Sequence, residues 1–172
     1  MTVGTAHTVR EDVDVPAIYQ THWRPMVRLA LLLVDDVAAA EDVVQDAFIA
    51  LHRQQDRLRD PHAAIGYLRT TVVNMSRSAI RRRVVARKHL RVAEPEGLPG
   101  ADENVVLREE HAEVLAALRT LPDRQREVLV LRYFSGVSEN EIAAILGIST
   151  GTVKSSASRG LASLRTVMGG RA

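Results

Sequence analysis

The chain predicts an all-α fold of two small helical domains joined by a flexible linker, the C-terminal one a helix-turn-helix, and three observations carry that prediction. Apolar residues recur three and four positions apart along most of its 172 residues, and although 46% of them are hydrophobic only 3% are aromatic. Cores built from Leu, Val, Ile and Ala in that rhythm favour helices over sheets. The stretch from Val92 to Ala101, VAEPEGLPGA, concentrates Pro, Gly and Glu and reads as a linker. Ser138 to Leu164 reads as two short helices joined by a tight turn.

Residues 1–15 are polar, lack helical periodicity and are expected to form a loose tail. Pro16 suits the first turn of a helix running to about Val34, with Ile18, Tyr19, Trp23, Met26, Val27, Ala30 and Leu33 as its apolar face. Pro25 falls inside that pattern and should kink or break it. Asp35-Asp36 can cap a second helix, about Val37 to Arg53, that turns Val44, Ala47, Phe48 and Leu51 inward and Glu41, Asp42, Gln45 and Asp46 outward. Asp60-Pro61 leads into a third helix from about His62 to Arg83, with Arg77, Arg81, Arg82 and Arg83 in its last turns, where cations complement the helix dipole. Helical pattern resumes near Asn104 and continues to Leu121, Pro122-Asp123 breaks it, and a further helix of about Arg124 to Phe134 ends at Gly136.

The last hairpin is the most detailed local signal. Ser138 and Glu141 have the spacing of a capping box. Gly147 can take the left-handed conformation that stops a helix, and Ser149 can cap the next one. Val153, Ala157, Leu161 and Leu164 then face inward, leaving Thr152, Lys154, Ser155, Ser158 and Arg159 outside. A polar, basic, small-residue face on the second helix of such a pair suits entry into a DNA major groove. The plainer possibility is a helical hairpin with a solvated face.

Bulk charge is uninformative at +2, but its distribution is not. Gly66 to Arg91 holds eight Lys or Arg and no acid, whereas Asp35 to Asp46 holds five acids and no base. Asn74, Arg77, Ser78 and Arg81 share one face of the third helix and could hold phosphates and present groups to bases, with Tyr67 a stacking platform or simply core. The acidic helix repels DNA; from spacing alone a solvated face is preferred over a docking face for a protein partner. Catalysis is not expected: His7, His22, His52, His62, His89 and His111 show no metal or acid–base pairing, and no Gly-rich phosphate loop is present. The absence of cysteine excludes disulfides and thiolate zinc sites, and no cofactor or metal is implied. With no apolar leader, and Leu29 to Val34 as the longest apolar run, a cytoplasmic protein without membrane insertion is expected.

Three blocks of residues together resemble a known family. Ala40-Glu41-Asp42-Val43-Val44-Gln45-Asp46-Ala47-Phe48 is similar to the AEDLVQ-type helix of bacterial sigma factors, and Tyr67-Leu68-Arg69, Val73-Asn74 and Arg81-Arg82-Arg83 resemble the promoter-reading segment that follows it. Leu121-Pro122, Arg126-Glu127-Val128, Glu141-Ile142-Ala143, Leu146-Gly147-Ile148-Ser149 and Gly151-Thr152-Val153-Lys154-Ser155 are similar to their C-terminal helix-turn-helix. Two such domains in a short chain resemble the extracytoplasmic-function (ECF, group IV) subclass of the sigma-70 family, over roughly Ala17 to Met168.

The resemblance implies a factor that binds core RNA polymerase and directs initiation at chosen promoters. It implies a tail of residues 1–15, a region 2 domain over 16–91, a linker over 92–103, a region 4 domain over 104–168 and a tail of 169–172. Glu41, Asp42, Gln45, Asp46 and Phe48 would dock on the β′ clamp helices, reversing the preference drawn from spacing, and the β flap would be a second polymerase contact. Tyr67, Asn74, Arg77, Ser78, Arg81 and Arg82 would capture the melted −10 element. Lys154, Ser155, Ser158 and Arg159 would read duplex −35 DNA, with Ser149 and Thr152 near its backbone. An anti-sigma factor is a common partner in the family. Tyr67 and Ser78 stand where many relatives carry Trp and Asp, and Ser156 and Ser158 where they often place an Arg or a bulkier group, so the promoter sequence does not follow from the resemblance. The alternatives are a LuxR-like helix-turn-helix regulator acting on duplex DNA without polymerase, and a helical adaptor or RNA-binding module using the basic stretch.

Overall fold

The computed structural model describes residues 12–89 and 112–169, all helix and short connections with no strand among them. The expected linker at 92–103, the helix start near Asn104, and residues 1–11 and 170–172 lie outside the described residues. Three helices form an N-terminal bundle: α1 (Val15–Val34), α2 (Val37–Gln54, closed by a 3₁₀ turn at Gln55–Arg57) and α3 (Pro61–His89). Four form a C-terminal bundle: α4 (112–119), α5 (Asp123–Leu129), α6 (Glu139–Leu146) and α7 (Thr150–Gly169).

Aspartates start all three N-terminal helices, each accepting from a backbone N–H three residues on. Asp14 accepts from Ala17 at 3.0 Å, Asp36 from Ala39 at 2.7 Å and Asp60 from Ala63 at 2.8 Å. Such caps satisfy N–H groups that the helix itself cannot. The first helix therefore begins at Val15, inside the stretch expected to be tail. Asp35, at φ 59°, ends α1 in the left-handed region, and its N–H returns to the Leu31 carbonyl. The adjacent aspartates thus turn the chain in two steps, one closing α1 and the next opening α2.

Three expectations are corrected. α1 does not break at Pro25, whose exposed position lets water satisfy the carbonyl that its missing N–H leaves free. α3 continues to His89, so Arg77, Arg81, Arg82 and Arg83 fall short of its last turn, which holds Arg87 and Lys88 instead. The helix after Pro122 widens into a π turn at Val130–Phe134, where the Ser135 N–H reaches the Val130 carbonyl five residues back at 3.2 Å. Val128, Leu129, Val130 and Leu131 are all at most 2% exposed, so this helix is covered on every side.

The two bundles pack on each other. Leu29 to Val34 are six consecutive buried residues at the end of α1. One side of them faces α2 and α3, and α1 also packs on the π turn after α5.

Candidate nucleic-acid and polymerase interfaces

The hairpin of α6 and α7 forms as its spacing predicts. The Glu141 N–H donates to Ser138 Oγ at 3.3 Å, and Glu141 Oε2 accepts from the Ser138 N–H at 3.0 Å and from its hydroxyl at 2.7 Å. Those bonds hold the Glu141 carboxyl below its usual range, helped by the fields of Arg69 and His62 across the bundle interface. Gly147 closes α6 at φ 64° and ψ 39°, and Ser149 Oγ accepts from the Thr152 N–H at 3.1 Å to open α7.

Along α7, Val153, Ser156, Ala157 and Gly160 are buried. Ser156 is therefore inside, and of the two serines noted in the sequence only Ser158 faces out. Gly160 lies so close to α5 that a Cβ there would meet Leu129 Cδ1 at 2.8 Å. Ser149, Thr152, Lys154, Ser158 and Arg159 are exposed and Ser155 half-buried. The hydroxyls of Ser149 and Thr152 bond each other at 2.9 Å, and Ser155 Oγ donates to the Thr152 carbonyl at 3.1 Å. Glu139 at the start of α6 takes Arg132 at 2.9 Å and is 3.8 Å from Lys154. Arg159 has no ion pair among the described residues.

On α3 the expected −10 face is only partly open. Asn74, Ser78, Arg81 and Arg82 are exposed, and Tyr67 is half-buried against the core, which limits it as a stacking platform. Ser78 Oγ donates back to the Asn74 carbonyl at 3.2 Å. Arg77 is committed elsewhere: its Nε and Nη2 donate to the two carboxylate oxygens of Glu127 on α5 at 2.5 and 2.8 Å. The side chains are 22% and 9% exposed, so this fork is shielded from water. The hydrogen bond to Glu127 raises the Arg77 pKa, so its charge is secure. Arg83 is also engaged, bonded to the Val34 carbonyl at 3.0 Å and to Asp36 at 2.8 Å, where it fastens α3 to the α1–α2 corner.

On α2, Asp42, Gln45 and Asp46 are exposed and Glu41 half-buried. Phe48 is corrected: it is 6% exposed and sits against Tyr19 and Trp23, with ring centroids 4.9 and 6.1 Å away. Its inward period outweighs the docking role drawn from resemblance; it can support the face but not touch a partner. Ile49, 45% exposed and seven residues from Asp42, shares the acidic face, an apolar residue that the motif resemblance does not single out.

The inter-bundle contacts were not foreseen. Besides Arg77–Glu127, Arg119 pairs with Asp35, its Nη2 donating to Oδ1 at 2.7 Å. The Arg126 guanidinium gathers the Leu118 and Arg119 carbonyls and crosses to the Leu33 carbonyl at 3.2 Å. A crevice of about 570 Å³ also lies between the bundles, its apolar walls from Met26, Leu29, Leu32, Leu115 and Phe134 and its polar lining from His22, Arg28 and Arg69. Burial, then the Arg69 charge, lowers the His22 pKa from 6.5. Among the described residues no three His, Cys, Asp or Glu gather as metal ligands, and no helix is long and apolar enough to cross a membrane.

Two family profiles match the chain: sigma-70 region 2 over residues 18–84 and sigma-70, region 4 over residues 111–164. An RNA polymerase sigma-E factor of Streptomyces avermitilis is 35% identical over 157 residues, covering 90% of this chain and 85% of the relative. An ECF RNA polymerase sigma factor, SigM, of Mycobacterium tuberculosis is 31% identical over 164 residues, covering 95% and 82%. Among solved structures, the sigma factor RpoE of Bartonella quintana in complex with the anti-sigma factor NepR has a TM-score of 0.69 at 25% identity, covering 88% of this chain and 96% of that one. CnrH in complex with the cytosolic domain of CnrY shares the fold at a TM-score of 0.70.

Proposed function

Because this chain belongs to the extracytoplasmic-function group of the sigma-70 family and directs RNA polymerase to promoters, we propose that it does so through three surfaces built on α2, α3 and α7. The outward face of α7 reads duplex −35 DNA in the major groove. Lys154 and Arg159 supply the charge, Ser155 and Ser158 leave room for close approach, and Ser149 and Thr152 lie at the helix start beside the backbone. Asn74, Ser78, Arg81, Arg82 and, once released, Arg77 hold the melted −10 strand along α3, with the exposed edge of Tyr67 at one end. Asp42, Gln45, Asp46 and Ile49, bordered by Glu41 and backed by Phe48, dock on the β′ clamp helices. Tyr133 and Phe134, 55% and 50% exposed on the C-terminal bundle, suit an apolar contact such as the β flap.

The single observation carrying this assignment is the placement of an exposed basic α7 face, on a capped helix-turn-helix, in one chain with a second basic helix. A LuxR-like regulator has no use for region 2, which is matched across 18–84. Our proposed domain limits are about 16–91, extended by the start of α1 at Val15 and its Asp14 cap, and 104–168, with 92–103 joining them. We assign no catalysis, cofactor or metal to the chain, and place its work in the cytoplasm, on the nucleoid when polymerase-bound. An anti-sigma partner is proposed from the RpoE–NepR and CnrH–CnrY complexes. The deciding experiment adds the purified chain to core polymerase and maps transcripts genome-wide in vitro. Defined start sites that vanish without the chain are expected; duplex binding with no effect on polymerase would overturn the proposal.

A further inference from the structure

The crevice beside α1 has the make-up of a small-molecule site. We propose that it binds an amphipathic anion, an aliphatic carboxylate of medium length, with its headgroup against Arg69 and His22 and its tail along the apolar wall of α1. The proposal does not depend on how the chain contacts DNA or polymerase.

Size and wall suit such a ligand. At about 570 Å³ the crevice falls in the range of ligand pockets, about 300–1,000 Å³, which are mostly apolar with a few polar groups. His22, Met26, Leu29 and Leu32 follow one another on α1 at spacings of four, three and three, so they form one stripe of that helix. The stripe starts at an imidazole and runs into the buried collar at the end of α1, about 15 Å at the rise of an α-helix. Leu115 and Phe134 line the crevice from the C-terminal bundle, so a bound tail touches both bundles.

The polar lining favours a negative headgroup. His22, Arg28, Arg69 and Ser135 line the crevice and no carboxylate does. Arg69 Nε is buried without a hydrogen-bond partner among the described residues. The Arg69 charge lowers the Glu141 pKa, after the bonds from Ser138, and lowers that of His22, after burial. Glu141 is itself bonded to Ser138 and stands outside the lining, so it answers Arg69 through its field alone. A guanidinium in that state is short of an acceptor, and a planar carboxylate supplies a matching pair of oxygens. A donor left unpaired away from water costs free energy, which an arriving acceptor recovers.

Neither the Arg77–Glu127 clasp nor the Arg119–Asp35 clasp lines the crevice, so a ligand can seat without displacing either. A ligand held there binds the folded chain and not the unfolded one, and so raises stability by mass action. Affinity should grow about fourfold for each methylene that the wall takes up. The growth stops once the crevice is full.

Isothermal titration calorimetry of the full-length chain at neutral pH with hexanoate, octanoate and decanoate, each below its micelle-forming concentration, tests the site. One decanoate per chain is expected, with affinity rising along the series and the thermal midpoint rising with it. Octanol, which lacks the charge of octanoate, and acetate, which lacks the tail, should each bind at least about tenfold more weakly than octanoate. Arg69→Gln should lose about tenfold in decanoate affinity. Arg28→Gln removes the same charge from an exposed position six residues, about 9 Å, along α1 from His22, and should lose less than about threefold. Phe134→Ala, also at an exposed position, should lose about threefold through the tail. Circular dichroism checks that each variant is folded; should Arg69→Gln fail to fold, the ligand series and the two exposed-position variants still decide. Absence of saturable binding overturns the proposal. Octanol binding as tightly as octanoate, or equal losses in Arg69→Gln and Arg28→Gln, overturns the placed headgroup. Uptake of several decanoates with a falling thermal midpoint is surfactant action and overturns the site.

Discussion

α3 and α7 are both long helices with a cationic face, yet their central cations stand in opposite states. Arg77 on α3 is held by Glu127, and Arg83 by Asp36 and the Val34 carbonyl. Arg159 on α7 points into solvent, and Lys154 is only loosely near Glu139 at 3.8 Å. Position in the fold accounts for the difference. α3 is a shared wall between the bundles, and there Arg77 and Arg83 meet carboxylates and a helix-end carbonyl. α7 lies at the outer edge of its bundle, where only its apolar side meets α5 and α6. A basic face read from sequence is thus an inventory of charge, and packing decides which part is available to DNA.

The most damaging way to break this contrast is to undermine one bundle at a time. Leu129→Ala, under α7, and Leu68→Ala, on the buried side of α3, each remove a side chain at most 2% exposed and should cost about 2–5 kcal/mol. If the collar of Leu29 to Val34 joins the bundles, either variant lowers one common transition in thermal unfolding followed by circular dichroism. Two resolved transitions, only one of them shifted, would mean the bundles melt separately.

Arg159→Ala sharpens the comparison next. It should weaken binding to a −35 duplex by about 1–3 kcal/mol if Arg159 reaches a base edge, and leave single-stranded binding unchanged. Anisotropy titrations with the two DNA forms check this; equal losses on both would mean a general charge effect rather than groove reading.

Much of the fold was legible because its signals are local. Ser138 with Glu141, Gly147, Ser149, Asp36 and Asp60 each act within three or four residues, and all sit where their spacing put them. What escaped notice depended on partners distant in sequence. Nothing within a few positions of Glu127 marks it as the mate of Arg77, fifty residues away. Phe48 shows the limit of resemblance, since a motif match says a residue recurs but not which way it faces. The signal that could have revealed the interface was Leu29 to Val34, too apolar for a helix with one neighbour. Six residues are too few to span a bilayer, but an apolar circumference calls for neighbours on every side.

Ser138→Ala tests the outer arm with a smaller effect. Losing the cap should cost about 1 kcal/mol and take the hydroxyl bond from the Glu141 carboxylate, which keeps the bond from the residue 138 N–H, leaving Arg159 in place. Glu141 has a lowered folded pKa, so its contribution is present above its unfolded value and lost as pH falls through the folded one. Denaturant midpoints of wild type and Ser138→Ala should therefore converge on acidification. A constant gap would assign the cap's value to the neutral hydroxyl alone.

The smallest expected effect belongs to His22, in the crevice where the bundles meet. Its pKa is lowered from 6.5 by burial and then by Arg69, so the folded chain resists protonating it more than the unfolded chain does. The sign follows: its contribution is fully present above the unfolded value and is lost as pH falls below 6.5. Protonation would add a third cation to a crevice already holding Arg28 and Arg69. His22→Gln should flatten the decline in stability between about pH 7 and about pH 5.5, read from urea midpoints, while leaving neutral stability nearly unchanged. A wild-type chain whose stability is flat across that range would place His22 outside the interface's electrostatics. α3 and α7 would then differ through the Arg77 and Asp35 clasps alone.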